Sequence, residues 1–567
     1  MNIQTREGKV MSTKNGFLFF VATAAALFCS SGCGMDEQDY GSNWNQGYQD
    51  GGWVADAGTH WECFSANDCN PGEYCNEFNR CVPVREGPDG GIIEPPEVEE
   101  EFTPPASGER YVYVALTEGD MVARVDSVNL DVTTIEVGGR PTILRTAPGR
   151  DLAVVINSSS DSVSIIRTED GADTVKTLNT PPHYNRLAID PEGEYAVAHF
   201  ELEQPDMQGI GSFQDVSVIR LEKGREAVFN VSVGFRPRQV VFSPDGDMVY
   251  VITEDGISVL DLQGMNAGFV APTVPVSFDP LGEGMPSEVL IGPDGLYAFA
   301  RWSNIPMVRA IDMLTWELID TPLSAPPTDI DLSPEGQRLV AVSRSVSEVA
   351  VMEVPDDIGD ASALLLIDCS PSIVGSSIIL PGGEEALVYT NAYNDKSIHL
   401  LNLLTGEKRS ALLRKGIRNL SISPDGSTAL VLHNKIPGDP QPGDDFETQL
   451  DKRFGFSLLR VDNLFAKLQI TEADPGSFAY MPNSEAAYLI LADPWIALRS
   501  VLELNLINFI VSEYTVSSHP EEIGVVPGTQ RLYVSQDHPM GRISFINTIN
   551  GEMRTVTGFR LNSQITE

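Results

Sequence analysis

Twelve polar residues occupy one point of a repeated sequence phrase, and their side chains are the first candidates for chemistry. Each stands in the segment that leads into an apolar strand, or at the start of that strand. They are Arg140, His183, Asn185, Arg186, Arg236, Arg238, Glu288, Asp329, Arg418, Asn419, His519 and Glu521. Guanidinium groups bind carboxylates, sugar acids and phosphates through paired hydrogen bonds. The alternative, which we favour, is that they satisfy loop carbonyls or pair with neighbouring carboxylates.

Three of these residues, Glu288, Asp329 and Glu521, carry carboxylates that a hydrolase could use to activate water. The common catalytic motifs are absent from the sequence: there is no GxSxG, HExxH or GxxxxGK, no GxGxxG after a strand, and no haem motif CxxCH. The sequence therefore disfavours the common hydrolase, nucleotide-binding and haem-protein classes.

An acidic insertion from Ile436 to Asp451 is the candidate metal site. Its carboxylates are Asp439, Asp444, Asp445, Glu447 and Asp451. Hard oxygen ligands at this density suit calcium, which is the one cofactor that the sequence suggests. The spacing lacks the regular D-x-D-x-D-G pattern, so a solvated acidic loop is the alternative that we favour.

A phrase that recurs from Arg110 onward positions these residues. An apolar strand runs into a Ser-Pro-Asp-Gly turn, and a Tyr-Val strand and two further strands follow. Pro sets φ at the first corner of such a turn and Gly supplies positive φ at its end. The period of roughly 40 to 60 residues is that of a four-stranded propeller blade. Nine copies of the turn contain Pro148, Pro191, Pro244, Pro293, Pro334, Pro381, Pro424, Pro482 and Pro527.

We therefore predict an all-β chain whose residues 108–567 form a single large β-propeller of four-stranded blades. Seven or more blades are expected, and the repeats indicate nine to ten. The opening stretch 110–138 predicts the last three strands of a blade, and the tail Phe559–Glu567 is the candidate for its missing first strand. Strands from both termini would close the ring and remove free sheet edges. Irregular insertions or two smaller propellers are alternatives, but no linker divides the repeats.

The repeat resembles the YVTN and lactonase-like propeller families. The resemblance is carried by Phe235-Arg-Pro237, by Ser243-Pro-Asp-Gly246 and by Tyr250-Val251. It implies a propeller, in those families of seven or eight blades, and it implies a lactonase-like hydrolase as an alternative function. In that alternative, a metal or an acid/base pair in the channel would activate water. A fold alone does not determine function.

The N-terminal residues 1–32 predict an export signal, because basic residues precede the apolar run Phe17–Phe28, which is too short to span a bilayer comfortably. The segment Ser30-Ser31-Gly32-Cys33 resembles the lipobox of bacterial lipoproteins, although Ser30 stands where that family usually has Leu. The resemblance implies cleavage before Cys33 and acylation of Cys33, and Gly34 favours outer-membrane sorting. Plain secretion is the alternative.

Three segments separate the signal from the propeller. Residues 33–60 are polar and predict a flexible tether. Residues 61–83 resemble small cysteine-rich modules that precede larger domains in bacterial envelope proteins, and in an exported chain their evenly spaced cysteines predict two disulfides, with zinc as the alternative. These cysteines are Cys63, Cys69, Cys75 and Cys81. Residues 84–107 are rich in Pro and Glu and predict an extended linker.

The acidic balance of the chain argues against nucleic acid as a partner. The sequence has 80 acidic and 38 basic residues, a net charge of −42, which repels polyanions over most of the surface. The anchor, the spacer and the absence of a catalytic motif together favour a lipid-anchored envelope scaffold. We expect its channel face or rim to bind a protein, peptide or glycan, and its acyl chains to bind the membrane.

Substituting the predicted acylation site tests the anchor. We expect Cys33→Ser to move the protein from the membrane pellet to the soluble fraction, because the thiol is the acylation site in the lipobox family. Cys29→Ser, which alters a cysteine four positions earlier in the signal, is the matched control and should stay in the pellet. Immunoblotting of the two fractions gives the readout: a parent protein in the soluble fraction would favour plain secretion, and equal pelleting of both variants would show another means of attachment.

Overall fold

The computed structural model describes residues 73–75, 81–83, 97, 107–202, 213–265, 269–392 and 394–560. The chain divides into two compact units, Met1–His60 and Trp61–Glu567, and every described residue lies in the second. The predicted signal, tether and acylation site, and the side chains of the four N-terminal module cysteines, lie outside the described residues. Within the described ranges, no helix has the length and hydropathy that a membrane crossing requires.

The Ser-Pro-Asp-Gly phrase forms the tight turn that the sequence predicts. At its clearest copy, the N–H of Gly246 donates to the carbonyl of Ser243 at 2.9 Å, and Gly246 has φ +71°. The Ser243 hydroxyl donates to Asp245 at 2.5 Å and accepts from the N–H of Met248 at 2.9 Å. The same contacts recur around Ser423. The serine side chain therefore joins Pro and Gly in defining the turn.

Ten sheets of repeats follow a short hairpin in the described residues, and neighbouring strands within each sheet are consecutive in the chain. The hairpin pairs β1 (Glu73–Cys75) with β2 (Cys81–Pro83). Blade 1 has β3 (Tyr111–Leu116), β4 (Met121–Asp126) and β5 (Val132–Glu136); blade 2 has β6 (Pro141–Thr146), β7 (Leu152–Asn157), β8 (Ser162–Glu169) and β9 (Ala172–Asn179); blade 3 has β10 (Arg186–Ile189), β11 (Tyr195–His199), β12 (Asp215–Arg220) and β13 (Ala227–Ser232).

The middle blades repeat the four-stranded pattern. Blade 4 has β14 (Gln239–Phe242), β15 (Met248–Thr253), β16 (Gly256–Asp261) and β17 (Thr273–Val274); blade 5 has β18 (Glu288–Ile291), β19 (Tyr297–Trp302), β20 (Ile305–Asp312) and β21 (Leu318–Pro322); blade 6 has β22 (Asp329–Leu332), β23 (Arg338–Ser343), β24 (Glu348–Glu353) and β25 (Leu365–Asp368).

The last four blades keep the same order. Blade 7 has β26 (Ser376–Ile379), β27 (Glu385–Tyr389), β28 (Ser397–Asn402) and β29 (Lys408–Leu412); blade 8 has β30 (Ile417–Ile422), β31 (Thr428–His433), β32 (Phe454–Arg460) and β33 (Phe465–Thr471); blade 9 has β34 (Pro475–Tyr480), β35 (Ala486–Asp493), β36 (Leu498–Asn505) and β37 (Val511–Thr515); blade 10 has β38 (Pro520–Val526), β39 (Arg531–Gln536), β40 (Arg542–Asn547) and β41 (Met553–Thr557).

Helices are short and lie between strands in the described residues. The α-helices are α1 (Pro280–Glu283) and α2 (Phe446–Asp451), and 3-10 turns cover Arg344–Val346 and Pro527–Thr529. The prediction of an all-β propeller is confirmed, and its repeat count gives the observed ten blades. The family resemblance implied seven or eight blades, and the described residues form ten.

The ring is closed by packing between blade 1 and blade 10. Val112 and Val125 of blade 1 share a buried cluster with Tyr533 and Phe545 of blade 10. Phe559, which follows the last described strand, is 4 % exposed in the same cluster. Blade 1 has three strands, as predicted. The predicted fourth strand from the C-terminal tail lies mostly outside the described residues and stays a prediction.

Two turn copies depart from the predicted Pro-Gly pattern. In the copy at Pro527 the left-handed residue is Gln530, with φ +50°. Gly528 instead lies close to Glu109, which leaves no room for a side chain. A Cβ on Gly528 would lie 2.6 Å from the Cγ of Glu109. In the copy at Pro482, Ser484 takes the left-handed position with φ +56°. A glycine in the phrase therefore marks either a turn or a close approach.

Hydroxyl pairs join a buried serine of the third strand to a threonine of the fourth strand in several blades. Ser164 bonds Thr177 at 2.9 Å in blade 2, and Ser258 bonds Thr273 at 2.8 Å in blade 4. A pair of the same kind links Ser544 to Thr555 in blade 10 at 2.7 Å. Buried hydroxyls are costly unless they are bonded. The pairing explains how polar side chains lie among apolar strands of the interior.

Three histidines are buried in the neutral form. Burial lowers the pKa of His199, His399 and His433 from its usual value to about 4. The ring of His433 lies between the carbonyl of Gly416, at 3.1 Å from Nδ1, and the hydroxyl of Ser457, at 2.7 Å from Nε2. The carbonyl can only accept, so Nδ1–H donates to it and Nε2 accepts from the hydroxyl.

These histidines predict a pH dependence of stability. A depressed folded pKa means that the unfolded chain, with histidine pKa near 6.5, takes up protons that the folded chain refuses. The contribution of these histidines to the unfolding free energy should be fully present above about pH 6.5 and should decline toward pH 4. His199→Phe should reduce the loss in unfolding free energy between pH 7 and pH 5 by about 2 kcal/mol, measured by denaturant unfolding.

The exposed His183 of the same blade provides the control. His183→Asn should leave the pH dependence of the unfolding free energy unchanged, because the imidazole that it removes is exposed. Asparagine tolerates the left-handed backbone at this position, so the fold is kept. A His199→Phe protein with the same loss of stability as the parent would show that this histidine is protonated in the folded state.

Candidate ligand-binding face

The loops that lead into each blade lie beside the loops that join its second and third strands. In blade 2 the N–H of Ser158 donates to the carbonyl of Arg140 at 2.9 Å. In blade 4 the N–H of Phe235 donates to the carboxylate of Asp255 at 2.7 Å. In blade 7 the N–H of Gly375 donates to the carbonyl at the end of β27 at 2.8 Å. We call the face formed by these two sets of loops the upper face.

Three neighbouring blades hold a polar residue in left-handed backbone on the upper face. Arg140, His183 and Arg236 have φ +55°, +66° and +53°. All three belong to loops that lead into the first strand of blades 2, 3 and 4. Arg140 and His183 are exposed. The sequence predicted these positions as ligand contacts but carried no sign of their unusual backbone.

The candidate arginines on the upper face meet carboxylates. Arg186 contacts Glu201 at 2.5 Å, and Arg236 and Arg238 share Glu254 at 2.6 and 3.3 Å. In a separate pair, Nη1 of Arg418 lies 2.7 Å from both carboxylate oxygens of Asp474, and Nη2 donates to the carbonyl of Pro475. Arg186 and Arg418 thus each pair with their own carboxylate, Arg236 and Arg238 share one, and the structure does not gather all four around one anion.

The candidate carboxylates are dispersed among blades. Glu288 of blade 5 pairs with Arg301 at 2.6 Å. Asp329 of blade 6 is buried and accepts from the N–H of Ser377 at 2.6 Å, which links the inner strands of blades 6 and 7. Glu521 of blade 10 has a raised pKa, chiefly through burial and then through the charge of Asp537. The carboxyl group of Glu521 therefore releases its proton less readily than an ordinary glutamate does.

The remaining candidates are two asparagines and a histidine, and the asparagines bond to nearby backbone groups. Asn185 donates to the carbonyl of Glu201 and accepts from its N–H, both at 2.7 Å. Asn419 is 6 % exposed, and its side-chain oxygen accepts from the N–H of Leu420 at 2.6 Å. His519 is half-buried. Asn185 therefore holds a loop conformation, whereas Asn419 bonds within strand β30 at its bulge.

Most carboxylates of the acidic insertion cap a helix or pair with lysines. Asp445 caps α2 by accepting from the N–H of Thr448 at 2.8 Å. Two lysines pair with three other carboxylates: Lys452 lies 2.9 Å from Asp444, and Lys396 lies 3.2 and 3.1 Å from Glu447 and Asp451. Asp439 contributes its backbone carbonyl to Gln441.

The calcium hypothesis gains no support from this arrangement. In the described ranges no three His, Cys, Asp or Glu side chains are grouped as a metal site requires. Calcium prefers six to eight oxygen ligands, whereas these carboxylates turn toward ammonium and N–H groups. We derive no chemistry from a metal in this loop.

On the upper face, a set of donors that was not predicted from the sequence surrounds the carboxylate of Glu97, and we call it the cradle. Oε1 of Glu97 accepts from Nη1 of Arg344 at 3.0 Å and from the hydroxyl of Thr390 at 2.6 Å. Oε2 accepts from the N–H groups of Asn391 and Ala392 at 2.8 and 3.3 Å. The hydroxyl of Ser376 lies 3.3 Å from Oε2. Five donors from blades 6 and 7 therefore surround one carboxylate.

The cradle is built where two blades meet. Arg344 stands in the 3-10 turn after β23, and Thr390 follows β27 in the matching loop of the next blade. Gly375, in the loop that leads into β26, leaves the space that the carboxylate fills, since a Cβ there would lie 1.8 Å from Oε1. Sequence could not have singled out Glu97, because Glu99, Glu100 and Glu101 follow it in the same acidic run.

Comparisons with solved structures find matches of low identity. Hydrazine synthase of Kuenenia stuttgartiensis is 14% identical, with 57% of this chain and 95% of that chain covered and a TM-score of 0.33. A dihydro-haem d1 dehydrogenase is 13% identical, with coverages of 74% and 76% and a TM-score of 0.42. A eukaryotic initiation factor is 12% identical, with coverages of 72% and 96% and a TM-score of 0.48. Similarities at this level carry no functional argument.

Family comparison identifies the repeat. Comparison with curated proteins finds no match. Residues 117–364 match the family described as lactonase, 7-bladed beta-propeller. The match confirms, over this segment, the resemblance seen in the sequence.

Proposed function

We propose that this is an exported, lipid-anchored envelope protein whose propeller binds a protein, peptide or glycan partner through its upper face. The observation that carries the proposal is the left-handed backbone of Arg140, His183 and Arg236 at one position of three consecutive blades. Such backbone costs about 1 to 2 kcal/mol per non-glycine residue, and strain of this kind concentrates at binding sites. Repeated use of a long polar side chain, where glycine would fit without strain, supports contact with a ligand.

The alternative is a lactonase-like hydrolase, which the family match over residues 117–364 makes the natural competitor. Hydrolysis needs an acid and a base, or a metal, acting on one substrate. Glu288 and Asp329 are engaged in contacts on blades 5 and 6. Glu521 on blade 10 is the residue that would act as the acid or base in this alternative, because its pKa is raised.

Lactone hydrolysis separates the two functions. We expect the purified full-length protein to leave a panel of sugar and aliphatic lactones unhydrolysed, both with calcium and after chelation, because its candidate carboxylates do not meet at one site. An active lactonase assayed in parallel provides the control. Turnover that disappears in a Glu521→Gln variant would contradict the binding proposal and assign catalysis to the channel.

Cross-linking in the envelope tests the binding face directly. The double variant Arg140→Asn/His183→Asn keeps residues that tolerate left-handed backbone and removes the long cationic and imidazole side chains. We expect it to lose at least ten-fold of the cross-linked product that the parent protein forms with its partner, measured by quantitative mass spectrometry.

A variant on the opposite face provides the matched control. Lys223 lies in the connection between β12 and β13 and is exposed, so Lys223→Glu should cross-link as the parent does. The same product at full yield from Arg140→Asn/His183→Asn would show that the upper face of blades 2 and 3 takes no part in binding.

A further inference from the structure

We propose that the cradle of blades 6 and 7 is a binding site for the side-chain carboxylate of a glutamate in an acidic peptide. Glu97 is its occupant within the chain, and a glutamate from another chain competes with Glu97 for the same donors. The five donors to Glu97 come from Arg344, Ser376, Thr390, Asn391 and Ala392.

The carboxylate in the cradle is taken out of water. The side chains of Glu97 and Arg344 are 4 % and 6 % exposed. A buried charge pair is stable only when the remaining lone pairs and protons are also bonded. Here both oxygens of Glu97 receive at least two donors each, which satisfies the acceptor capacity of a carboxylate.

The donors select a carboxylate over an amide. The guanidinium of Arg344 and the N–H groups of Asn391 and Ala392 can only donate, and they face both oxygens of Glu97. Glutamine in place of Glu97 would turn an NH₂ group toward at least one of these donors. The space over Gly375 fits the carboxylate closely, and the donors distinguish it from the amide, which has the same shape.

Whether the carboxylate comes from the same chain or from another molecule determines how tightly a free peptide binds the cradle. A group on the same chain acts at an effective concentration in the millimolar range for short flexible connections. Glu97 therefore suppresses binding of a free peptide, and its removal should expose the site. Comparison of the parent chain with Glu97→Ala distinguishes the internal carboxylate from one that is supplied by another molecule.

A fluorescent peptide of residues 92–102 serves as the probe, because it carries the occupant itself. We expect this peptide to bind the full-length Glu97→Ala protein at least ten-fold more tightly than the parent, as measured by fluorescence anisotropy. The same peptide with Glu97→Gln should bind Glu97→Ala at least ten-fold more weakly. Thr390→Val on the Glu97→Ala background should weaken binding, since it removes a 2.6 Å hydrogen bond while keeping the side-chain shape.

A protein with Glu100→Ala is the matched control, because it loses another carboxylate of the same acidic run and keeps Glu97. It should bind the peptide as weakly as the parent. The proposal is wrong if Glu97→Ala binds no better than Glu100→Ala, or if the glutamine peptide binds as well as the glutamate peptide. The assay needs no envelope partner, so its outcome is independent of the cross-linking experiment.

Discussion

The sheets of this ring have apolar side chains on both faces, and the need to cover both faces is the constraint on which the rest of the structure depends. The strands β7 and β31 are buried along their whole length. A sheet of this kind needs a neighbour on each side, so a row of blades is covered only when it closes. The cluster that joins Val125 of blade 1 to Phe545 of blade 10 completes the closure.

Closure also determines where binding groups can meet. Equivalent loops of all blades share one face, so side chains distant in the sequence become neighbours at each junction between blades. The cradle for Glu97 takes Arg344 from blade 6 and Thr390 from blade 7. The bond from the N–H of Ser377 to Asp329 joins the inner strands of the same two blades. One junction is therefore both a structural link and a binding site.

Electrostatics explain why the cradle differs from the other arginine positions on the upper face. A net charge of −42 provides carboxylates close to most cations, and Arg236 and Arg418 are neutralised by nearby Glu254 and Asp474. Backbone N–H groups carry no net charge and are not cancelled in this way. An acidic protein can therefore hold a carboxylate where a buried arginine acts together with oriented N–H groups, as around Glu97.

The repeat, the turn at Ser243 and the three-stranded first blade follow from the sequence alone, because Pro, Gly and alternating apolar residues act within a few positions of the chain. The sequence also pointed to the loops of the upper face. It did not indicate that Gln530, and not Gly528, would take the left-handed turn position, that Arg418 would meet Asp474, or that Glu97 would be bound. These contacts join segments of different blades or of the preceding linker, and only the closed tertiary structure decided which of them came within hydrogen-bonding distance.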